Sequence, residues 1–222
     1  MLNILVLSGG KGNRINKLLN HGCKALTRFD GEMWINTLYT LFKTNFYFNF
    51  DIFLNINADH SKLEDVKLID RSLINIIVES KREGVLNGII HSSKFLKNNK
   101  YTLVILGDVI FQKQFVVFVN NILNNPYNEN DIIAIGRPKR DGKDYEIFSK
   151  NNFTIDQDLQ VGGALICSTE KLQKLVWNKV FVSSFYEIVK KISEDRNLII
   201  LNYTGLFEDF GTEIRYKNIT KI

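Results

Sequence analysis

The stretch LNILVLSGGKGNRI, residues 2–15, joins an unbroken apolar run to a glycine-rich loop. The run Leu2–Leu7 predicts a buried strand, because a short continuous apolar segment suits a strand covered on both faces. The glycines that follow let the backbone approach a ligand closely, and successive N–H groups in such a loop can cradle phosphate oxygens. We therefore expect a phosphate-binding loop after the first strand. The alternative is a glycine-rich strand-to-helix turn with basic residues at the surface.

The loop matches neither of two common nucleotide-binding patterns. No Gly-Lys-Ser/Thr sequence has the spacing of a Walker loop, and Ile15 stands where a dinucleotide fingerprint needs its third glycine. Arg14 and, ten residues later, Lys24 add two cations. Two fixed cations suit a triphosphate, whose bridging oxygens gain charge as the α–β bond breaks. The loop residues expected to contact a nucleotide are Leu7, Gly9, Gly10, Lys11, Gly12 and Asn13.

Short apolar runs alternate with amphipathic stretches along most of the chain. The predicted strands are Leu2–Leu7, Phe50–Ile56, Ile74–Val78, Thr102–Leu106, Asp131–Ile135, Ala164–Cys167 and Leu198–Leu201. The predicted helices are Ile35–Lys43, Leu86–Leu96, Gln114–Leu123 and Phe185–Ile192. This order predicts a single doubly wound α/β domain with a mostly parallel, mixed sheet and helices on both faces. Asp141-Gly142 is a hairpin signal, so we expect β-hairpin insertions in the second half.

Composition narrows the class of partner. The 222 residues are 45% apolar and carry a net charge of +5, with basic residues interleaved with acids in runs such as KREG and KRDGKD. This pattern favours a basic cleft for phosphorylated small molecules over a nucleic-acid partner. No apolar run approaches the roughly 18 residues that a membrane helix needs, so we expect no membrane partner. Two distant cysteines favour a reducing cytoplasm. The opening MLNILVLSGG is too quickly interrupted by glycines for a signal peptide.

Two aspartates stand where a ligand is expected. Asp108 follows the strand Thr102–Leu106, and a carboxylate at the carboxyl end of a buried strand faces the ligand crevice, where Mg²⁺ binds hard oxygen ligands. The alternative is a helix N-cap or a turn aspartate. Asp209 lies in LFEDFGTE, residues 206–213, and the alternative there is an Asx turn.

These motifs together resemble the sugar-1-phosphate nucleotidyltransferases. GGKGNRI (residues 9–15) and CKAL (residues 23–26) are similar to the family signature G-G-x-G-x-R-L followed by P-K-x-L, with Asn13 and Cys23 as departures. The resemblance implies that Arg14 contacts the triphosphate and that Lys24 bridges the phosphates of nucleotide and sugar. LGD (residues 106–108) and EDFGTE (residues 208–213) resemble the two metal motifs. The resemblance therefore makes Asp108 and Asp209 the ligands of an Mg²⁺ cofactor, with Asp108 also contacting the nucleotide.

The sequence indicates the residues that recognise the base and the sugar less clearly than it indicates the metal and phosphate ligands. ESKREGVLNG, residues 79–88, stands where the family reads the base, and a carboxylate can accept hydrogen bonds from both N1–H and the 2-amino group of guanine. Glu79 or Glu83 is the candidate reader, and the alternative is a solvated acid. Gly84 would permit close approach to the nucleotide. VGGA, residues 161–164, resembles the N-G-G element that contacts the sugar, which assigns Gly163 to the substrate. No counterpart of the family's E-K-P lysine is apparent, and the candidates to replace it are Lys143 and Lys150.

The resemblance, closest to the heptose- and mannose-1-phosphate guanylyltransferases, implies a nucleotide-binding half over residues 1–136 and a sugar-phosphate-binding half over residues 137–222. The implied activity is transfer of a nucleotide from a nucleoside triphosphate, GTP favoured, to a sugar 1-phosphate, with pyrophosphate released, for surface polysaccharide synthesis. The alternatives are a cytidylyltransferase acting on a phosphorylated alcohol or amide, a non-catalytic regulatory relative and a dinucleotide-dependent oxidoreductase. Homo-oligomers are common in the family, although no residue pattern marks an interface.

Overall fold

The computed structural model describes residues 1–10, 22–80, 84–125, 132–138, 147–148, 159–174, 185, 187–189 and 198–219. The strands within these ranges are β1 (Leu2–Leu7), β2 (Arg28–Phe29), β3 (Glu32–Met33), β4 (Phe50–Asn57), β5 (Ile74–Glu79), β6 (Tyr101–Leu106), β7 (Val109–Phe111), β8 (Ile132–Pro138), β9 (Ile147–Phe148), β10 (Leu159–Ser168), β11 (Leu198–Asn202) and β12 (Phe207–Asp209). Eight of them form a central sheet in the order β11-β8-β10-β6-β1-β4-β5, with β9 paired to β10.

The helices pack around this sheet. They are α1 (Trp34–Asn45), α2 (Glu64–Lys67), α3 (Val85–Ser93), α4 (Lys113–Asn124), α5 (Thr169–Gln173) and α6 (Glu213–Ile219), with 3₁₀ turns at Lys24–Leu26 and His60–Lys62. Residues 185 and 187–189 are also helical. Across the described ranges, no helix combines the length and the apolar character that crossing a membrane requires.

Alternate residues of β1 pack into two separate cores, one on each face of the sheet. Leu2, Ile4 and Val6 belong to a cluster with side chains of α1 and α4. Leu5 and Leu7 belong to a second cluster with side chains of α3 and α5. A strand buried on both faces needs a continuous apolar run, which is why LNILVL carries one. The predicted doubly wound arrangement is thereby confirmed.

The sheet is mixed because β10 runs against its neighbours. β1 pairs in parallel with β4 and β6, whereas β10 is antiparallel to both β6 and β8. The register of β10 on β8 shifts between Val161 and Leu165, where Gly162 and Gly163 lie. A methyl group added to Gly162 would come within 2.3 Å of the Phe207 ring, so a side chain at this position would disrupt the packing. The glycine pair therefore has a structural role.

A small antiparallel sheet joins the middle of the chain to its C-terminal part at one edge of the crevice. β7 follows the turn after β6, and β12 pairs with it so that Asp209 faces Val109. The Phe210 amide donates to the Asp108 carbonyl at 2.9 Å, and the Gly107 amide donates to the Leu7 carbonyl at 2.8 Å. These bonds fix the residues after β6 between β1 and β12.

Each predicted strand lies within or overlaps an observed one, and the helices over Ile35–Lys43 and Gln114–Leu123 are confirmed. The helix predicted over Leu86–Leu96 is too long: α3 ends at Ser93, after which Phe95 donates its amide to Ser92 in a turn. Only parts of the helix predicted at Phe185–Ile192 are described, and the hairpin signal at Asp141-Gly142 lies outside the described residues. The sequence did not predict the β2–β3 hairpin. The division at residues 136 and 137 falls within β8 and stays a prediction.

Candidate active site

The start of the glycine loop is held by the neighbouring strand β4. The Ser8 amide donates to the Asn55 carbonyl at 2.8 Å, and Asn57 Nδ2 donates to the Gly9 carbonyl at 2.9 Å. Asn55 and Asn57 are buried near the carboxyl end of β4. Gly10, by contrast, is exposed, and a methyl group added to it would meet nothing within 4 Å. The loop is therefore fixed at its base and open at Gly10.

Lys24 is positioned by the residues around it. Ser8 Oγ accepts a hydrogen bond from the Ala25 amide at 3.1 Å and lies 3.4 Å from Cys23 Sγ. Burial raises the pKa of the Cys23 thiol to about 11, so the thiol stays protonated near neutral pH. Cys23, which stands where the family signature has proline, thus anchors the 3₁₀ turn that carries Lys24. Lys24 Nζ donates to Asp108 Oδ2.

Asp108, Lys24 and Asp209 converge on Gly211. A methyl group added to Gly211 would lie 2.8 Å from Asp108 Oδ2, 3.2 Å from Lys24 Nζ and 3.4 Å from Asp209 Oδ1. Asp108 is followed by β7, which rules out the helix N-cap alternative. Two carboxylates from distant parts of the chain therefore share one small site.

Asp209 contacts two arginines. Arg215 Nη1 donates to Asp209 Oδ1 at 2.6 Å, and Arg137 Nη2 lies 3.8 Å from Asp209 Oδ2. Asp209 Oδ1 also accepts the Gly211 amide at 3.3 Å, which is the Asx-turn contact that the sequence left open. The Asx-turn alternative therefore holds for Asp209, and its role as a metal ligand stays a prediction.

Glu79 lies beside the glycine loop. Methyl groups added to Gly9 and to Gly88 would lie 3.0 Å and 2.7 Å from Glu79 Oε1. Glu79 is 7% exposed, so it is not a solvated surface acid. Gly84, with φ +93°, is the N-cap of α3 at the same edge of the sheet. Glycines at 9 and 88 are therefore required for the carboxylate to fit between the loop and α3.

Gly163 lies against the residues that flank Asp108. A methyl group added to it would come within 2.7 Å of Val109 Cγ2 and 2.9 Å of Leu106 Cδ1. The glycine thus permits β10 to pack closely on the turn that carries Asp108. Its assignment to the sugar stays a prediction. The candidate residues Lys11, Gly12, Asn13, Arg14, Glu83, Lys143 and Lys150 lie outside the described residues.

Sequence reasoning missed Arg137 and Arg215. Arg137 Nη1 donates to the Phe207 carbonyl at 2.8 Å and lies 3.4 Å from Glu208 Oε2, so it joins β8 to β12. Its signal was a charged residue just after an apolar strand run, the same kind of position as Asp108. Arg215 follows Asp209 by six residues, on α6, and no local pattern distinguishes it from Lys217, the other basic residue of that helix.

The two aspartates suit a metal ion that is bound together with substrate phosphates. Within the described ranges, no three His, Cys, Asp or Glu residues lie close enough together to hold a metal ion by themselves. Mg²⁺ is typically bound by one or two carboxylates together with water and substrate phosphates. Asp108 and Asp209 provide two such carboxylates, and Lys24 and Arg215 supply positive charge beside them.

Several solved structures share this fold. A protein assigned as a glucose-1-phosphate thymidylyltransferase from Bacillus anthracis, in complex with a sucrose, superposes with a TM-score of 0.78 at 17% identity, covering 100% of this chain and 94% of that one. HddC from Yersinia pseudotuberculosis gives 0.73 at 16% identity, covering 100% and 99%. The inositol-1-phosphate CTP transferase from T. maritima gives 0.76 at 15% identity, covering 99% and 93%. Identities this low establish the fold alone.

The family is shown by the sequence. No curated protein sequence gives a significant match. The family model for nucleotidyl transferases, however, matches residues 3–153, a span that contains the glycine loop, Lys24, Glu79, Asp108 and all of β1 except Leu2. This span is more than half of the chain, and the chain therefore belongs to the nucleotidyl transferase family.

Proposed function

We propose that this protein transfers a nucleoside monophosphate from a nucleoside triphosphate, GTP favoured, to a sugar 1-phosphate and releases pyrophosphate. The observation that carries the proposal is the convergence of Lys24, Asp108 and Asp209 on Gly211. A cation and two carboxylates beside a glycine loop suit the transfer of a nucleotidyl group from one polyanionic substrate to another. The product would be an activated sugar, of the kind used in polysaccharide synthesis.

In the proposed reaction, a phosphate oxygen of the acceptor attacks the α-phosphorus in line. The new bond joins acceptor and α-phosphate, and the bond from the α-phosphorus to the bridging oxygen breaks, so that pyrophosphate leaves with the electron pair. Lys24 would neutralise charge on the phosphates, and Arg14 is expected to share this role. No protein nucleophile is needed, because the acceptor phosphate is already anionic. Mg²⁺ bound by Asp108 and Asp209 would supply further neutralisation of phosphate charge.

Glu79 supports GTP as the donor. A carboxylate accepts hydrogen bonds from both N1–H and the 2-amino group of guanine, whereas uracil and thymine offer no such pair of donors. Glu79 reaches Gly9 and Gly88, and these glycines bring its carboxylate close to the backbone of the loop and of α3. One structural neighbour, HddC from Yersinia pseudotuberculosis, has been solved in complex with GMP-PN.

The second candidate is a cytidylyltransferase acting on a phosphorylated alcohol. The inositol-1-phosphate CTP transferase from T. maritima shares the fold over 99% of this chain, which favours this alternative. Cytosine has a single exocyclic amino group to donate to Glu79, so we rank CTP below GTP. A non-catalytic relative would bind a nucleotide without turnover.

The test is pyrophosphate release with Mg²⁺, pairing GTP, CTP, UTP, dTTP and ATP in turn with a panel of sugar 1-phosphates and phospho-alcohols. We expect release with GTP and one sugar 1-phosphate. The Asp108→Asn variant should be about 100-fold slower or worse, because it removes a charge from the reacting centre. Release with CTP alone would favour the second candidate, and nucleotide binding without any release would favour the non-catalytic relative.

Asp51→Asn is the matched control. Asp51 also forms an ion pair with a lysine, Lys97, at 2.5 Å, but it lies near the amino end of β4, away from the crevice. Its variant should retain the wild-type rate. An equal loss in the Asp51 and Asp108 variants would show that the assay reports folding, and the assigned role of Asp108 would then be lost.

A further inference from the structure

Two carboxylate–cation pairs lie on either side of Gly211. Lys24 contacts Asp108, and Arg215 contacts Asp209 at 2.6 Å. The two cations are exposed to a similar degree, 22% for the Lys24 side chain and 26% for that of Arg215. Each cation is thus fixed by a carboxylate and still reachable from solvent. The proposed reaction needs cations for two phosphorylated substrates, and this site has two carboxylate–cation pairs.

Arg137, the other arginine at Asp209, is in a different situation. Its side chain is 7% exposed, and its guanidinium bonds to the Phe207 carbonyl and contacts Glu208 and Asp209. All three acceptors belong to β12. Arg137 therefore fixes the strand that carries Asp209.

Arg215 is suited to bind a phosphate. A guanidinium has five N–H donors in a planar fork, which can bind a carboxylate and a phosphate together. Its backbone amide lies 3.4 Å from Thr212 Oγ1, in the first turn of α6 directly after Gly211. A divalent cation on Asp108 and Asp209 would compete with Lys24 and Arg215 for the charge of the carboxylates. Both side chains would then be attracted to substrate anions.

We propose that Arg215 is the cation that binds the phosphate of the acceptor, while Arg137 holds Asp209 in position. This inference rests on the proposed function, because it assigns a residue to the second substrate of that reaction. The inference distinguishes two arginines that contact the same carboxylate: Arg215 binds the substrate, and Arg137 stabilises the fold.

The first test measures turnover with the nucleotide–acceptor pair that supports pyrophosphate release. Arg215→Gln should raise the KM for the acceptor about tenfold or more, the cost of a lost charge-assisted hydrogen bond, and leave the KM for the nucleotide nearly unchanged. Arg215→Lys should restore part of the acceptor affinity, because it keeps the charge and loses the fork. Lys217→Gln is the control, since Lys217 lies on the same helix and pairs with Glu213 at 2.7 Å. Equal increases in both KM values, or a lower kcat with both unchanged, would overturn the inference.

The second test does not depend on turnover. Inorganic phosphate is titrated calorimetrically, with Mg²⁺ present, into three proteins: the wild type and the Arg215→Gln and Lys217→Gln variants. If a protein binds a non-hydrolysable GTP analogue, it is saturated with that analogue before the titration. Phosphate should bind the wild type and Lys217→Gln alike and Arg215→Gln about tenfold more weakly. Equal affinity in all three, or no binding to the wild type, contradicts the role of Arg215. A wild type that binds phosphate through Arg215 but turns over no pair would instead refute the proposed function alone.

Discussion

Lys24 and Asp108 form an ion pair although 84 residues separate them in the chain. The contact depends on two adjacent parallel strands, because Lys24 follows the loop after β1 and Asp108 follows β6. Their side chains are 22% and 11% exposed, which leaves the pair accessible from the crevice. A polyanionic ligand would therefore meet a lysine that is already fixed in direction.

Replacing Lys24 should affect catalysis more than stability. Lys24→Met removes the cation but keeps an apolar stem, and we expect kcat/KM for pyrophosphate release to fall about 100-fold or more. A partly exposed ion pair contributes little to folding, so the free energy of unfolding should change by about 1 kcal/mol or less. Pyrophosphate release and urea unfolding measure the two effects. If the variant unfolded readily but kept its specific activity, the role of Lys24 would be to stabilise the fold and not to support catalysis.

Gly211→Ala tests the convergence of the three side chains. Among the described glycines, only Gly31 and Gly84 have a positive φ, so alanine at 211 is not strained in its backbone. The added methyl would lie 2.8 Å from Asp108 Oδ2 and should displace the carboxylate. We expect pyrophosphate release about tenfold slower or worse, while the melting temperature changes little. Wild-type turnover in Gly211→Ala would show that the position of Asp108 is not critical.

The parts of the site that the sequence predicted depend on local patterns. An apolar run followed by glycines identified β1 and the loop, and an aspartate directly after an apolar strand identified Asp108. Parallel strands end at the same edge of a sheet, so the residues that follow them can be predicted to lie close together even when no contact between them is known. Asp108 could be placed on this basis, whereas the family resemblance left Glu79 and Glu83 as alternative base readers.

The parts that the sequence missed depend on pairing between distant segments. β7 and β12 are each short, and nothing in either predicts that Val109 faces Asp209. Arg137 lies within β8, beyond Ile135, where the predicted strand ended. Its burial depends on hydrogen-bond acceptors in β12, and the sequence around Arg137 does not show them. Likewise, Gly162 is required by the ring of Phe207, a residue far along the chain. A pattern read along one segment does not contain these partners.

Glu79 provides a test of base specificity. Glu79→Gln replaces one carboxylate oxygen with an amide donor, so one of the two guanine donors would lose its acceptor. We expect the KM for GTP to rise at least about tenfold, with less effect on other nucleotides. Glu170→Gln, an exposed acid paired with Lys174, is the control and should leave nucleotide selectivity unchanged. Equal effects on all five triphosphates would remove Glu79 from base recognition.

Arg137 should matter for stability. Arg137→Gln removes charged hydrogen bonds between β8 and β12, and we expect the free energy of unfolding to fall by about 2 kcal/mol. Arg28→Gln is the control: Arg28 pairs with Asp65 at 2.7 Å, but its side chain is 44% exposed. An exposed pair of this kind contributes about 0.5 kcal/mol. Urea denaturation of both variants decides the point, and similar small losses would mean that Arg137 does not hold β12 in place.

The buried thiol of Cys23 predicts a dependence of stability on pH. Burial raises its pKa from 9.0 to about 11, so between these values the unfolded chain loses a proton that the folded chain keeps. The folded state therefore binds more protons, and stability is fully present below pH 9.0 and is lost as the pH rises towards about 11. In a Cys167→Ala background, the difference in unfolding free energy between the protein with Cys23 and its Cys23→Ala variant should shrink by about 2–3 kcal/mol across this window. Urea unfolding at successive pH values measures the difference, and a constant value would show that the thiol is accessible to solvent and ionises equally in both states.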